Sequence, residues 1–475
     1  MGDVNVIRPQ ITVLSEAQMH RVHEASLQIL SSVGVRVDSE QARQVFANAV
    51  GRGAGDNRVR IPCEVVERAL ATAPSIVEIY DRHGDLAFRL GDDRTRFGIG
   101  VTVLYYQDPG TDEVVPFARE HMAKTVRLGD ALPSFDVIST VGIVQDVAPE
   151  VSDLYAVLEM TANTVKPLVI LVSDEEAFPA VMALLEHLHG DLASRPFVVP
   201  YFNPITPLVM NRGTTDKILT TVERGLPFIY SNYGMAGATT PITPAGTFAL
   251  LNAELLAGLV FSQLLKEGTP VILGCLPAFF DMRGMGSFYD PQSYVVNLAC
   301  AEMMAYYRLP HCGTSGSGTG WGADLIAGGH QWVNHLTGCM GKVGLSPFVG
   351  DTLASKAFSP AVIVYANEVI AQARRFAQGF PLDDASLAVD EIAETGPGGS
   401  FLTSALTLKH FRQAYYRSDV WPNLTLEEWL DRGSPLADDA LRHYTRRLLD
   451  EANPPEDHAE LTARGEGFIR ALGTR

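Results

Sequence analysis

Residues 228–274 read FIYSNYGMAGATTPITPAGTFALLNAELLAGLVFSQLLKEGTPVILG. The first five are apolar, aromatic or small and suit a buried strand, and a glycine-softened turn follows them. Thr243 then stands as a cap and Pro244 as a first-turn residue of a helix that carries Leu250, Leu251, Leu255 and Leu259 and stops at Gly268. A second apolar run occupies 270–274. Strand, helix and strand in this order form a βα unit with parallel strands. The same alternation extends outward, with runs at 98–105, 136–141, 168–172 and 198–203 before it and at 310–314 and 342–348 after it. Eight runs separated by helix-length segments predict an α/β fold of the (β/α)8 barrel type. An open doubly wound sheet would more often show fewer strands and a phosphate-binding glycine fingerprint after the first, which is absent here.

The flanks read as helical. Residues 12–33 have Ser15 and Gln18 at capping-box spacing, with Met19, Val22, Ala25 and Ile29 on one face. Helices are also expected at 38–49 and 62–71, followed by a short hairpin or lead-in at 82–96. A long helix from 361 to about 378 ends the barrel pattern, and the helical remainder is broken by Thr395-Gly-Pro-Gly-Gly-Ser400. The expected division is an N-terminal helical extension (1–96), the barrel (97–378) and a C-terminal helical extension packed on it (379–475).

Apolar residues make up 46% of the chain and charged residues 19%, which suits a packed globular protein. The net charge of −18 is spread along the sequence, disfavouring nucleic acid and anionic membranes and mildly favouring cationic ligands. No signal-like start is seen at residues 1–10, and the apolar segment near 255–265 reads as too short to span a bilayer, so a cytoplasmic protein is expected. The five cysteines lack CxxC spacing. His311, Cys312, His330, His335 and Cys339 cluster in sequence without the spacing of a zinc finger or a His-Glu-x-x-His helix, and no metal site is expected.

Barrel active sites lie at the C-terminal ends of the strands. The residues placed there are largely aromatic or amide: Tyr105, Tyr106 and Gln107, Asn203, Tyr230, Asn232 and Tyr233, Phe279, Phe280, Asp281 and Arg283, then Thr314, Ser315 and Trp321. Rings of this kind suit a quaternary ammonium group, which has no N–H to donate and is held by cation–π contact; each ring alone is as well explained by packing. The turn at 233–241, including Gly234, offers backbone amides near a helix start, and Arg283 is a second candidate partner for a substrate carboxylate. The run Gly313-Thr-Ser-Gly-Ser-Gly-Thr-Gly-Trp-Gly322 fits neither a Walker loop nor a dinucleotide fingerprint. It suits a lid, or a floor for a large planar cofactor formed by Gly313, Thr314, Ser315, Ser317 and Trp321 together with Gly234, or a plain solvent loop.

The segments GMAGATTPITPAG, AELLAGLVFSQL, FFDMRG and LPHCGTSGSG, with HEASLQILSSVGVRV and VRIPCEVVERAL before them and ETGPGGSFLTSALTLKHFR after, resemble the trimethylamine methyltransferase family over nearly the whole chain. The resemblance implies a (β/α)8 barrel that moves methyl from an amine to a corrinoid (cobalamin) carried by a separate partner protein docked on the barrel mouth, with no cofactor held tightly by this chain. Only standard residues are present, so the sequence is similar to the branch without pyrrolysine, which demethylates glycine betaine and other quaternary amines. Transfer from a quaternary nitrogen expels a neutral amine and needs no general acid, in keeping with a mouth rich in aromatics and glycines. Two other functions stay open: a barrel methyltransferase with a zinc-activated thiol or folate acceptor, and an amine-binding protein without turnover. Homo-oligomerisation is also open.

Overall fold

The computed structural model describes residues 6–50, 57–316 and 318–472. It shows an α/β fold built on a strongly curled eight-stranded sheet. The strands are β1 (Arg96–Ile99), β2 (Val137–Ser139), β3 (Leu168–Ile170), β4 (Val198–Phe202), β5 (Phe228–Ala236), β6 (Val271–Asp281), β7 (Gly286–Phe288) and β8 (Leu345–Val349). Their order across the sheet is β7-β6-β5-β4-β3-β2-β1-β8. All neighbours are parallel except the β6–β7 hairpin. His311 and Cys312 lie between β6 and β8, bridging to Leu273 and Leu345. Cys312 N donates to Leu273 O at 2.9 Å, and Leu345 N to His311 O at 2.9 Å.

Eight helices follow these segments in turn: α4 (Arg119–Ala131), α5 (Pro149–Asn163), α6 (Phe178–His189), α7 (Arg212–Glu223), α8 (Pro244–Leu265), α9 (Pro291–Tyr307), α10 (Leu325–Met340) and α11 (Pro360–Gln378). Before them stand α1 (Glu16–Gln28), α2 (Glu40–Val50) and α3 (Cys63–Thr72), all packed on α8. The Ser15–Gln18 capping box opens α1, and a π-helical turn, Ile29–Val33, closes it. Short helices α12 (Asp384–Leu387), α13 (Val389–Thr395), α14 (Ala405–His410) and α15 (Leu426–Asp431) precede α16 (Ala437–Glu451), on α4 and α11, and α17 (His458–Leu472), on α5 and α6.

Strand alternation separates two cores. Val137, Val169, Val199, Tyr201, Ile229, Ile272, Cys312, Leu345 and Phe348 point inward and fill the space enclosed by the sheet. Val77, Ile79, Phe88 and Leu90, from the antiparallel hairpin of Val77–Tyr80 and Leu86–Leu90, join the same cluster. The hairpin therefore plugs the base, and it begins before the 82–96 lead-in that the sequence suggests. Outward-facing residues meet the helices. Leu251, Leu255, Leu256 and Leu259 of α8 are fully buried, each worth about 2 kcal/mol of apolar burial. Helix α8 is 22 residues long and apolar enough to cross a membrane by length and composition, which corrects the shorter estimate; 78% of its apolar window is buried inside the protein.

Two strand expectations change. The 98–105 run ends as a barrel strand at Ile99, because Gly100 (φ 133°) and Thr102 (φ 57°) turn the chain away. Tyr105–Gln107 then pairs with Val114–Pro116 and Ala357–Phe358 in a separate small sheet. The 310–314 run forms bridges only at His311 and Cys312.

Candidate active site

Inward-facing side chains near the C-terminal ends of β4 and β5 meet residues from the loops that follow β7 and β8. Tyr201 is buried with its ring edge-on to Phe348, centroids 4.9 Å apart at 72°. Its hydroxyl lies beside Ser231 and Asn203. Among the described residues neither Tyr201 Oη nor Ser231 Oγ gains a well-aligned hydrogen bond, so two buried polar atoms face this space. Tyr233 is half-buried, with its hydroxyl against Ser287, and burial raises its pKa. The Tyr289 hydroxyl sits by Thr314 and close to Tyr233, Asp351 and Tyr201. Burial first, then the charges of Tyr233 and Asp351, hold that hydroxyl well above its ordinary pKa. Asp351 itself is 2% exposed. Three tyrosines and one carboxylate thus converge at the mouth of the curled sheet.

The glycine-rich loop covers this group. Gly316, Gly318 and Gly320 have φ of 70°, 82° and 87°, and a Cβ on Gly318 would come within 2.5 Å of Ser355 Oγ and 3.6 Å of Asp351 Oδ2. Opposite it, Leu353, Ala354 and Ser355 are three consecutive left-handed residues (φ 53°, 55° and 61°), a costly conformation that clusters at functional sites. Thr314 N donates to Asn297 Oδ1 at 3.1 Å, and Ser315 Oγ accepts from Phe348 N at 2.9 Å. Gly313 packs against Asn297, and Ser317 lies outside the described residues. Trp321 is exposed at the rim, where its carbonyl accepts from Gln107 Nε2 at 2.9 Å.

Several residues expected to line the mouth do not point into this tyrosine group. Tyr230 and Asn232 alternate to the outer face of β5. Tyr230 is fully buried over Gly258, where an added Cβ would sit 2.2 Å from its Cε1. Asn232 Nδ2 donates to Glu254 Oε2 at 2.8 Å, and Glu254 also accepts from Thr206 and the Leu208 amide, tying α8 to the loop after β4. Burial still raises the Glu254 pKa despite these bonds. Tyr106 is buried in the small sheet, stacked on His121 at 4.2 Å, while Tyr105 is exposed there. Gly234 is pressed against Leu251 of α8. The amides expected to hold an anion are consumed inside their own turn, since Met235 O accepts from the Ala238, Thr239 and Thr240 amides. Asp281 accepts from Arg283 N at 2.9 Å and Gly284 N at 3.0 Å, capping the β6–β7 hairpin, with Arg283 exposed at its tip. Phe279 packs on Phe288 along that hairpin (6.2 Å). Asn203, by contrast, does face the mouth and donates to Ser231 O at 2.8 Å. No three His, Cys, Asp or Glu side chains among the described residues are grouped as a metal site.

Tyr201, Tyr289 and Asp351 are absent from the sequence-based set. Tyr201 is two residues before Asn203 on the same strand face, and Asp351 follows the last strand directly; strict alternation and the strand-end rule point to both. Tyr289 precedes the Asp290-capped helix α9, a position without a comparable signal.

The model of the family described as Trimethylamine methyltransferase (MTTB) matches residues 3–470. The chain belongs to this family. It is 27% identical over 446 residues to the trimethylamine methyltransferase MttB of Desulfitobacterium hafniense, covering 92% of this chain and 88% of that protein. It is 26% identical over 473 residues to the glycine betaine methyltransferase of the same species, covering 98% of each. In three dimensions it is similar to the Methanosarcina barkeri monomethylamine methyltransferase (MtmB), with a TM-score of 0.52 at 9% identity over 97% of this chain and 88% of that one. That likeness concerns the fold.

Proposed function

We propose that this protein is a corrinoid-dependent methyltransferase that takes a methyl group from a quaternary amine such as glycine betaine and passes it to the corrinoid of a partner protein. The observation that carries this is the convergence of Tyr201, Tyr233 and Tyr289 beside the buried carboxylate of Asp351. The aromatic faces would hold an ammonium group that cannot donate a hydrogen bond, and Asp351 would balance its charge in a site of low dielectric. Transfer of a methyl group from such a nitrogen leaves a neutral tertiary amine, so the site needs no proton donor for the leaving group. Its work is to orient one N–CH3 bond toward the opening and keep water out.

The corrinoid, when bound, supplies the methyl acceptor. The rim fits a large partner. Ile205, Ile242, Met282, Met285 and Trp321, from loops at the strand ends, and Leu325, at the start of α10, are 53–96% exposed. An exposed apolar ring around a pocket is the usual mark of a docking surface. A carboxylate on the substrate would point away from Asp351, toward the hairpin that carries Arg283. The near-full-length match to a glycine betaine methyltransferase supports this substrate class.

We take the whole as a closed (β/α)8 barrel of residues 97–378 with helical extensions at 1–96 and 379–475, a reading supported by the isolated bridges of His311 to β6 and Cys312 to β8. We place the protein in the cytoplasm, where a soluble corrinoid partner would meet it.

Calorimetric titration with glycine betaine, choline, carnitine and trimethylamine, followed by incubation with a reduced corrinoid protein, tests the assignment. One quaternary amine should bind selectively, and methylated corrinoid should form only when enzyme, that amine and partner are combined. Failure of every quaternary amine to bind would reject it.

A further inference from the structure

Two buried hydroxyl groups, those of Tyr201 and Ser231, face the space inside the mouth. Tyr201 is 4% exposed and Ser231 is fully buried. Tyr201 pairs in register with Ile229, and both point inward; Ser231, two residues after Ile229, shares that face. Neither Tyr201 Oη nor Ser231 Oγ has a well-aligned hydrogen-bond partner among the described residues. Other hydroxyls around them are satisfied. Ser139, two residues after the inward-facing Val137, donates to Pro347 O at 2.7 Å, and Thr214 donates to Asn203 O at 2.6 Å. An unpaired buried hydroxyl lowers stability and is rare in folded proteins, so two side by side call for a partner.

Position along the strand gives the site two levels. Tyr233 follows Ser231 by two residues on the same face of β5, so it stands roughly 6–7 Å nearer the C-terminal end of the strand. Ser231, with the Tyr201 hydroxyl beside it, therefore forms the deeper level. The Tyr289 hydroxyl lies close to Tyr233, Asp351 and Tyr201 alike, so one short molecule spans both levels.

Charge selects the kind of oxygen that fits there. Asp351 is among the groups acting on the Tyr289 hydroxyl, whereas no Lys or Arg is among those acting on Tyr201, Tyr233 or Tyr289. A carboxylate at the deeper level would meet a like charge nearby, with no such cation to offset it. A hydroxyl carries no charge, and it can accept from one protein hydroxyl while donating to the other. The ammonium of the same molecule then lies at the level of Tyr233 and Asp351. A carboxylate, where the substrate has one, stays with the hairpin.

We propose, on the methyl-transfer reading of this mouth, that Tyr201 and Ser231 form a hydroxyl-binding subsite beneath the tyrosine cage, so that the preferred methyl donor is a quaternary amine bearing an uncharged hydroxyl on a short arm, as in choline. With that arm held below, the trimethyl end faces the opening and one N–CH3 bond is presented to the acceptor. A site built around a hydroxyl rejects the analogue that lacks it, because its own buried polar groups are then left unpaired.

Calorimetric titration with two matched pairs tests the subsite: choline against ethyltrimethylammonium, and carnitine against γ-butyrobetaine, the members of each pair differing by one hydroxyl. The parent protein should bind the hydroxylated member of a pair about tenfold or more tightly. Tyr201→Phe and Ser231→Ala each remove one protein hydroxyl and keep the fold's apolar contacts. Each should cut that preference to about threefold or less by weakening the hydroxylated ligand, while the analogue without the hydroxyl binds as before or more tightly. Their melting temperatures should stay level or rise, since the lost hydroxyl had no aligned partner, which a structural role would not allow. Variants that melt lower and lose both members of a pair alike, or that keep the full preference, would overturn the proposal. Binding of ethyltrimethylammonium, γ-butyrobetaine or glycine betaine with no gain from a hydroxyl would overturn the subsite and leave the methyl-transfer reading standing. Failure of all five ligands to bind would overturn both.

Discussion

Asp351→Asn removes one charge from the mouth while keeping the shape of the side chain. Asp351 is 2% exposed and its charge reaches the Tyr289 hydroxyl, so a bound ammonium among Tyr201, Tyr233 and Tyr289 would lie close to it with little intervening water. Two unit charges about 5 Å apart at an effective dielectric of about 20 interact by roughly 3 kcal/mol, a little over 100-fold in Kd. Part of that is offset because the uncomplexed protein no longer holds a buried carboxylate, which leaves an expected loss of about 10- to 100-fold. The assay is calorimetric titration of both proteins with choline and with its neutral carbon isostere, 3,3-dimethylbutanol. Affinity for choline should fall while affinity for the isostere stays level or rises. If both ligands lose the same factor, Asp351 acts through structure and its electrostatic role is refuted.

Tyr233→Ala and Tyr289→Ala should each weaken binding of quaternary amines by about 1–2 kcal/mol, read in the same titration; unchanged affinity would remove that ring from the cage. Tyr230→Ala should instead lower stability by about 3–5 kcal/mol in chemical denaturation and leave amine affinity intact, because its ring packs on Gly258 outside the mouth. Gly258→Val should destabilise by at least about 1–3 kcal/mol through overpacking against the same ring, and a parental melting temperature would contradict the packing described. Burial lowers the pKa of His335 to about 3 and of His189 to about 4, so below about pH 6.5 the unfolded chain takes up protons that the folded chain refuses. Each group should thus cost up to about 1.4 kcal/mol of stability per pH unit between about pH 6 and 4, and His335→Gln should flatten the fall in melting temperature over that range.

The expected barrel strands were legible where a strand is a short apolar run set off by turn residues, as at 168–172 and 198–203. Runs failed where one stretch of similar residues serves two structures. Of residues 98–105, only Gly98 and Ile99 join the barrel strand, and past the left-handed Thr102 Tyr105 enters a separate small sheet. Tyr230, Asn232 and Tyr233 look alike in sequence as polar aromatics and amides at a strand end. Only the direction of each side chain separates the first two, held against α8, from the third, which faces the mouth.

Sequence by itself determined the βα alternation, the capped helices and the family, because these depend on local periodicity, capping chemistry and family-like segments that need no partner in space. The tertiary structure alone decided which face of each strand looks inward, that the hairpin of Val77–Tyr80 and Leu86–Leu90 plugs the base, and that Tyr201, Tyr233, Tyr289 and Asp351 share one site. Those four come from two strands and two strand-end segments spread over 150 residues of chain. Their meeting is fixed by the curl and register of the sheet, a property of strands paired in space that no local stretch of sequence carries.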